Sequence, residues 1–440
     1  VHLMAVANGP SVYSKFDITS NDGKTTISLI GGVIEFQYFE DIFSPIYTAK
    51  VRITSTGTVV DGSRGVFNGL PIRGGEKVII GFKTPIEKAM KSKQVFNKLE
   101  MYVNGITNVI TEKKQEVFDL HLVSKEAFIN EQVRVPILFK NQTIDKSVAA
   151  IMKYLGKVKI DVLEPTENSY NFFGNLRKPF TLLTMLAKRS IPVGSKSKSA
   201  GFFFWQTHTG FNFLSPDGII KAGVQQKDSV QQYRYVQTLN TSLDNDLKNA
   251  TNILNWNLIS DNNVLNNLTV GEYSSHRMFF DPLTFQFLVS RFSEESKQKL
   301  GKKETLPDNL KPDNIPVNFL RSRQITQILD RGTFGGEKGD VNTNVNDFPG
   351  DHVAQSITRY STIMTQQLAL TVPINTNLNA GDVVNLYFPD VSDKKKGKWD
   401  DQLSGLYIIK EMTHYLLPNQ SYTAMRVIRD THGFRGKPNG

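Results

Sequence analysis

From Gln366 to Gly433 apolar and polar side chains alternate in four short runs separated by turn-forming residues. Period-two alternation over several short runs is the mark of an antiparallel meander with one buried face. The first run sets Leu368, Leu370 and Val372 against Gln367, Ala369 and Thr371, and the second, after Asn379-Ala380-Gly381, turns Val384, Leu386 and Phe388 to one side. The third runs from Gly405 to Tyr415, and the fourth, Ser421 to Asp430, sets Thr423, Met425 and Val427 against Tyr422, Ala424 and Arg426. With reversals expected at Pro373-Ile374-Asn375, Lys395-Lys396-Gly397 and Pro418-Asn419, this is a piece of a barrel or sandwich. Nothing in it has the look of a catalyst.

The chain has 440 residues. That is too long for one hydrophobic core, so roughly two to four domains are expected. A hydrophobic share of 39% and a mean hydropathy of -0.30 describe a globular protein. No run of apolar residues is long enough to cross a bilayer, and Val1 to Ala7 lack the basic start and apolar core of a secretion signal, so no membrane insertion is expected. Cysteine is absent, which removes disulfides, thiolate metal sites and one class of nucleophile, and which suits a reducing cytosol. The net charge of +10 comes from 52 Lys and Arg against 42 Asp and Glu. The densest basic runs, Lys394–Lys398, Lys196–Lys198 and Lys297–Lys303, lie in polar, turn-like contexts and read as solvated loops rather than a nucleic-acid site.

Residues 1–125 read as a first small barrel, with strands expected at Thr26–Ile30, Ile34–Tyr38, Thr48–Thr54, Lys77–Phe82, Leu99–Val103 and Phe118–Val123. Residues 126–216 change texture. Ile144, Val148, Ile151, Met152 and Leu155 form one helical stripe, which Gly156 is placed to end in the left-handed conformation. Pro179 opens a second helix that runs to Arg189, and Gly201–Gln206 is a strand. Residues 217–281 and 351–433 read as a second barrel, with β character resuming at Asn252–Ile259 and Leu268–Phe280. Between them, 282–350 is a loop-rich insertion, and 434–440 is a tail. Val353, Ile357, Tyr360 and Met364 mark one face of a helix just before the meander. The fold class is therefore mainly β with α+β modules: two small antiparallel β-barrel (tube) domains, an α/β module and an insertion.

No arrangement of residues points to chemistry. The seven histidines are isolated, and His414 sits inside a strand, where a packed or surface role is more ordinary than that of a ligand. Gly335–Asp340 lacks the Gly-Lys-Ser/Thr ending of a phosphate loop. Glu164 with Glu167, Glu294 with Glu295 and Asp400 with Asp401 lie among polar loop residues that would not raise a carboxyl pKa, so a glycosidase pair is not expected. The aromatic run Phe202–Trp205 reads as core rather than as a stacking platform. No catalytic residue, cofactor-binding residue or metal ligand is assigned.

The stretch Gly201-Phe202-Phe203-Phe204-Trp205-Gln206-Thr207-His208-Thr209-Gly210-Phe211-Asn212-Phe213 resembles a strand and turn of the central baseplate hub protein of contractile-tailed, T-even-like bacteriophages. So do Val372–Asn375, Leu378-Asn379-Ala380-Gly381-Asp382-Val383-Val384, Ser404–Ile409 leading to His414, and Arg429-Asp430, together with the order of barrel, module and barrel with insertion. The resemblance implies a non-enzymatic homotrimer in the virion's tail baseplate, assembled in the bacterial host cytoplasm without cofactors. Its partners would be the trimeric spike protein, the tail tube protein and other baseplate proteins. Two barrels per chain would give three chains a pseudo-six-fold ring, with DNA passing through the lumen without sequence-specific binding. The long region Ser296–Gly350 departs from the family pattern. Two other readings are a tail-associated cell-wall hydrolase and, from the net charge alone, a weak nucleic-acid-binding protein.

Overall fold

The computed structural model describes residues 9–56, 66–70, 72–89, 94–112, 115–194, 200–225, 230–236, 250–261, 263–292, 308–315, 322–332, 346, 350–390 and 399–430. The three basic runs, Gly335–Asp340, Glu294-Glu295, the turn Lys395–Gly397 and the 434–440 tail lie outside them, as does most of the 282–350 region.

The N-terminal strand group consists of β1 (Val12–Thr19), β2 (Thr26–Ser28), β3 (Val33–Asp41), β4 (Thr48–Thr56), β5 (Lys77–Lys83), β6 (Leu99–Glu112) and β7 (Gln115–Val123), with short helices α1 (Val66–Gly69) and α2 (Pro85–Ala89) between them. The middle module holds α3 (Lys125–Gln132), β8 (Leu138–Phe139), α4 (Ile144–Met152), β9 (Ile160–Leu163), β10 (Phe172–Phe173), α5 (Pro179–Ala187), β11 (Phe203–Gln206), β12 (Phe211–Leu214) and α6 (Pro216–Gln225). There follow β13 (Gln231–Arg234), β14 (Asn255–Asp261), α7 (Val264–Val270), β15 (Ser275–Asp281), β16 (Gln286–Phe292) and β17 (Arg323–Ile328). The chain ends in α8 (Gly350–Thr362), β18 (Gln366–Pro373), β19 (Val383–Tyr387), β20 (Gly405–Leu416) and β21 (Ser421–Arg429).

The two strand groups expected from the sequence are joined into one sheet of 13 strands, in the order β14-β18-β21-β20-β3-β4-β7-β6-β5-β1-β2, with β19 also on β20 and β13 on β19. No ladder among the described residues closes either group on itself. Each group nevertheless has its own core, because inward positions alternate. Phe16, Phe36, Val51, Val78, Met101 and Leu120 fill the first, and Leu368, Leu370, Val384, Leu386, Ile409, Met425 and Val427 the second. Tyr407, Ile408 and Ile409 are all buried, which a one-faced strand would not allow. The outer face of β20 is covered too: Ile408 and Ile428 pack with Phe203, Trp205, Ile219 and Ile363.

The helical stripe of the middle module is as expected: Ile144, Val148, Ile151 and Met152 are buried in α4, and Pro179 occupies the first turn of α5. Gly156 does take a positive φ of 89°, but its ψ of -150° lies outside the left-handed helical well. It ends a 3-10 turn by a conformation open only to glycine. The run Leu268–Phe280 divides differently from the uniform β character read in the sequence. Residues Val264–Val270 are helical, capped by the Asn263 side chain, which accepts the Asn266 N–H at 3.0 Å, and ended by Gly271 in the left-handed region. Strand β15 then pairs with β16 and, in parallel, with β17, and with no strand of the second group. The described part of the insertion is thus a small sheet rather than loop alone.

Candidate assembly site at the junction of the two strand groups

Strand β20 is long enough to serve both groups. Its first residues pair with β19, Val383 opposite Ile408 to Leu386 opposite Gly405, and its last six pair with β3, Glu411 opposite Asp41 to Leu416 opposite Phe36. A register shift between Ile409 and Glu411 on its other side, where it meets β21, separates the two halves. Ile374 and Leu416, from the C-terminal group, are buried in the N-terminal core, so the junction is packed and not merely laddered.

Polar residues that face inward at this seam hold it together. On β3 the inward positions are Phe36, Tyr38 and Glu40, and Glu40 is only 2% exposed. Its carboxylate accepts the Tyr38 hydroxyl at 2.7 Å, the His208 N–H at 3.1 Å and the Ala380 N–H at 2.9 Å. One side chain of the first group thereby ties down the β11–β12 turn of the middle module and the loop before β19. A carboxylate that accepts three donors is compensated for its burial. Across the same ladder His414 stacks on Tyr38, with centroids 6.1 Å apart and planes 13° from parallel, and its Nδ1 lies 2.9 Å from Thr423 Oγ1. Burial pushes the His414 imidazole down to about 3, with His208 adding to the effect, so the ring is neutral. Of the two ordinary roles, its buried strand position is the packed one.

The loop Asn379-Ala380-Gly381-Asp382 is clamped from three sides. Trp205 Nε1 donates to Ala380 O at 2.8 Å, Gly381 N–H donates to Ile409 O at 2.8 Å, and Glu40 takes the Ala380 N–H. Gly381 has φ 93°, and a Cβ there would lie 2.4 Å from the Trp205 ring. The turn needs glycine for both reasons. Asp382 accepts the Asn379 N–H at 2.8 Å. Burial nonetheless pushes its carboxyl up to about 7, against that N–H, and Glu40 adds repulsion.

Two more contacts brace the junction. Thr376 donates its hydroxyl to the buried Glu87 of α2, which also accepts the Thr84 N–H at 3.0 Å. Arg359 of α8 bridges Asp217 of α6 and, at 2.9 Å, Asp430 at the end of β21. The sequence marked Tyr360 and Met364 on one face of this helix, and both pack on the outer core beside Ile363.

Of the carboxylate pairs considered in the sequence, Glu164 differs from expectation. Burial raises its carboxyl above the usual range, even though it accepts the Ser215 N–H at 2.6 Å. It holds Ser215, whose Oγ accepts the Gly218 N–H at 2.9 Å and so caps α6. Asp400 accepts the Gln402 and Leu403 N–H groups in a turn. Phe202, Phe203, Phe204 and Trp205 are all buried, as core. Among the described residues, no group of three His, Asp or Glu side chains could hold a metal ion, and no helix is long and apolar enough to cross a membrane. Of the seam residues, Glu40 was not singled out in the sequence, and His208 and Asp382 entered only as members of the stretches that carry the resemblance. The available signal for Glu40 was a carboxylate on the inward beat of an otherwise apolar alternation.

No protein-family model matches the chain, and no curated protein matches it. Solved structures do. The chain is similar to the 43 kDa tail protein of prophage MuSo2 from Shewanella oneidensis, at 11% identity and a TM-score of 0.50 over 95% of this chain and 98% of that one. It is also similar to a tail protein from Neisseria meningitidis MC58, at 10% identity and a TM-score of 0.48 over 94% and 96% of the two chains. Prophage tail protein gp18 of Listeria monocytogenes EGD-e aligns at 8% identity and a TM-score of 0.41 over 94% of each chain. The Shewanella likeness carries the conclusion about fold: the chain shares the architecture of that prophage tail protein along nearly its whole length.

Proposed function

We propose that this chain is a structural hub of a phage tail baseplate, acting as a homotrimer that joins the tail tube to a trimeric spike. The observation that carries this reading is the β3–β20 ladder, which sets two strand groups of similar size side by side in one chain. Three copies around an axis then present six such groups, the arrangement a three-fold object needs to meet a six-fold tube. The free strand edges at β2 and β14 are where neighbouring copies would pair, whereas β13 is tied to the run before β14 by the Arg234–Asn252 bridge. The domains are taken as 1–125, 126–216, 217–281 with 351–433, and 282–350, except that β15 goes with the insertion strands it pairs with, the strand groups forming the ring and the module and insertion its outside. DNA passes through the lumen without being read, and the protein resides in the virion without catalytic duty.

The reading is supported by the tail-protein fold and by a seam whose inward polar groups serve packing. Sedimentation of the purified chain, alone and with a trimeric spike protein, tests it. A species of three copies is expected. Monomer under both conditions contradicts it.

A further inference from the structure

A groove of about 690 Å3 runs between α5, α7, α8 and β17, beside the outer core that covers β20. Lys188 and Arg189, just beyond α5, and Arg323, on β17, line it, and no carboxylate does among the described residues. Its apolar floor includes Tyr360 and Met364. The nearby carboxylates are engaged: Glu272 accepts the Ser361 hydroxyl at 2.9 Å, and Asp330, in the adjoining cavity, takes the Tyr170 hydroxyl.

Two further observations say what such a groove would hold. Behind Arg323, on the same sheet face, lies Arg277, paired in register with Ile325. Arg277 is 2% exposed, yet its Nε and Nη1 have no hydrogen-bond partner. Burial lowers its pKa to about 10, and the charge acting on it besides is another cation, Arg323. The four cations of this face thus outnumber its two carboxylates, Asp330, which shares the adjoining cavity with Lys188 and Arg189, and Glu272 beneath Ser361. Second, β17 pairs with β15 on one side only, and no described strand occupies its other edge. Its free N–H and C=O groups are a template for an added strand. Tyr360 is not free to stack on a nucleobase, because its hydroxyl donates to Phe202 O and its ring packs on Phe203.

We propose that this groove docks an extended acidic segment of a partner protein, which pairs along the free edge of β17, sets its carboxylates against Lys188, Arg189 and Arg323, and lays an apolar side chain on Tyr360 and Met364. The partner is thus a polypeptide with Asp or Glu flanking an aliphatic residue. The site includes none of the seam carboxylates and does not depend on ring formation.

The test is an array of random twelve-residue peptides probed with the full chain, followed by fluorescence anisotropy with the best-bound peptide. Acidic peptides holding one large apolar residue should be enriched. The double variant Lys188→Glu/Arg323→Glu should weaken the chosen peptide by about tenfold or more. Lys188→Gln/Arg323→Gln should fall between, and Lys24→Glu, in an exposed turn of the first group, should change nothing. Both positions in the double variant are exposed, and an unchanged urea midpoint verifies that each variant is folded. No acidic enrichment, or equal affinity in a folded double variant, overturns the proposal. So does a twelve-residue oligo-dT that outbinds every peptide through the same residues.

Discussion

Glu40 of β3 accepts the backbone N–H of Ala380, 340 residues further along the chain, at 2.9 Å. Through this bond, and the two it makes to Tyr38 and His208, one carboxylate fixes the position of the loop that starts β19 relative to the N-terminal sheet. Glu40→Ala leaves three donors at a buried site without an acceptor. It should cost about 2–4 kcal/mol in urea unfolding, with Glu40→Gln costing less because one oxygen remains. A loss under about 0.5 kcal/mol for the alanine variant would mean the carboxylate does not hold the seam.

The carboxyl of Asp382 gives the junction a pH signature. Its pKa is near 7 in the folded chain against 3.8 unfolded. Between those values the folded state holds a proton that the unfolded state has released, so stability falls as pH rises from about 4 to about 7, by up to about 1.4 kcal/mol per pH unit. Above about pH 7 the full cost is present. Asp382→Asn should remove this component, so that the difference in unfolding free energy between variant and wild type grows with pH across that window. A difference that is flat from pH 4.5 to 7.5 would contradict a raised carboxyl pKa at this half-buried position.

At Gly381 geometry and packing act together. Alanine there must hold φ near 93° and place its Cβ 2.4 Å from the Trp205 ring. A loss of about 2–4 kcal/mol is expected from backbone strain with overpacking. The Trp205 fluorescence of the folded variant should shift with it, as the ring is displaced from Ala380 O. A stable variant with unaltered emission would show that the loop tolerates a side chain.

Leu386 is fully buried in the second core. Leu386→Ala should destabilise by about 2–5 kcal/mol, and an effect near zero would place the β19 register one residue away from that described.

The meander and the α4 stripe were legible because each buries one face, and burial leaves its period in the sequence. The inward set Leu368, Leu370, Val372 and the glycine at 381 could be read directly. What could not be read is that β3 and β20 lie together. Their pairing joins residues about 370 positions apart by backbone hydrogen bonds, which leave no compositional trace. The small insertion sheet was also hidden, since β17 is exposed at nearly every position and so shows no alternation. The distal half of β6 was missed likewise: Val109 and Ile110 stand exposed there, in a hairpin arm with no core beneath it. Glu40 escaped notice, and Asp382 was read only as part of a turn stretch, because a carboxylate inside a seam and one on a surface look alike until the donors that meet them are known.

Electron micrographs of the purified full chain, averaged by class, address most directly whether two strand groups per chain build a six-lobed ring. The expected image is a hollow particle with three-fold symmetry and six similar lobes around an open centre. A compact particle with no central opening, or one lobe per subunit, would contradict it.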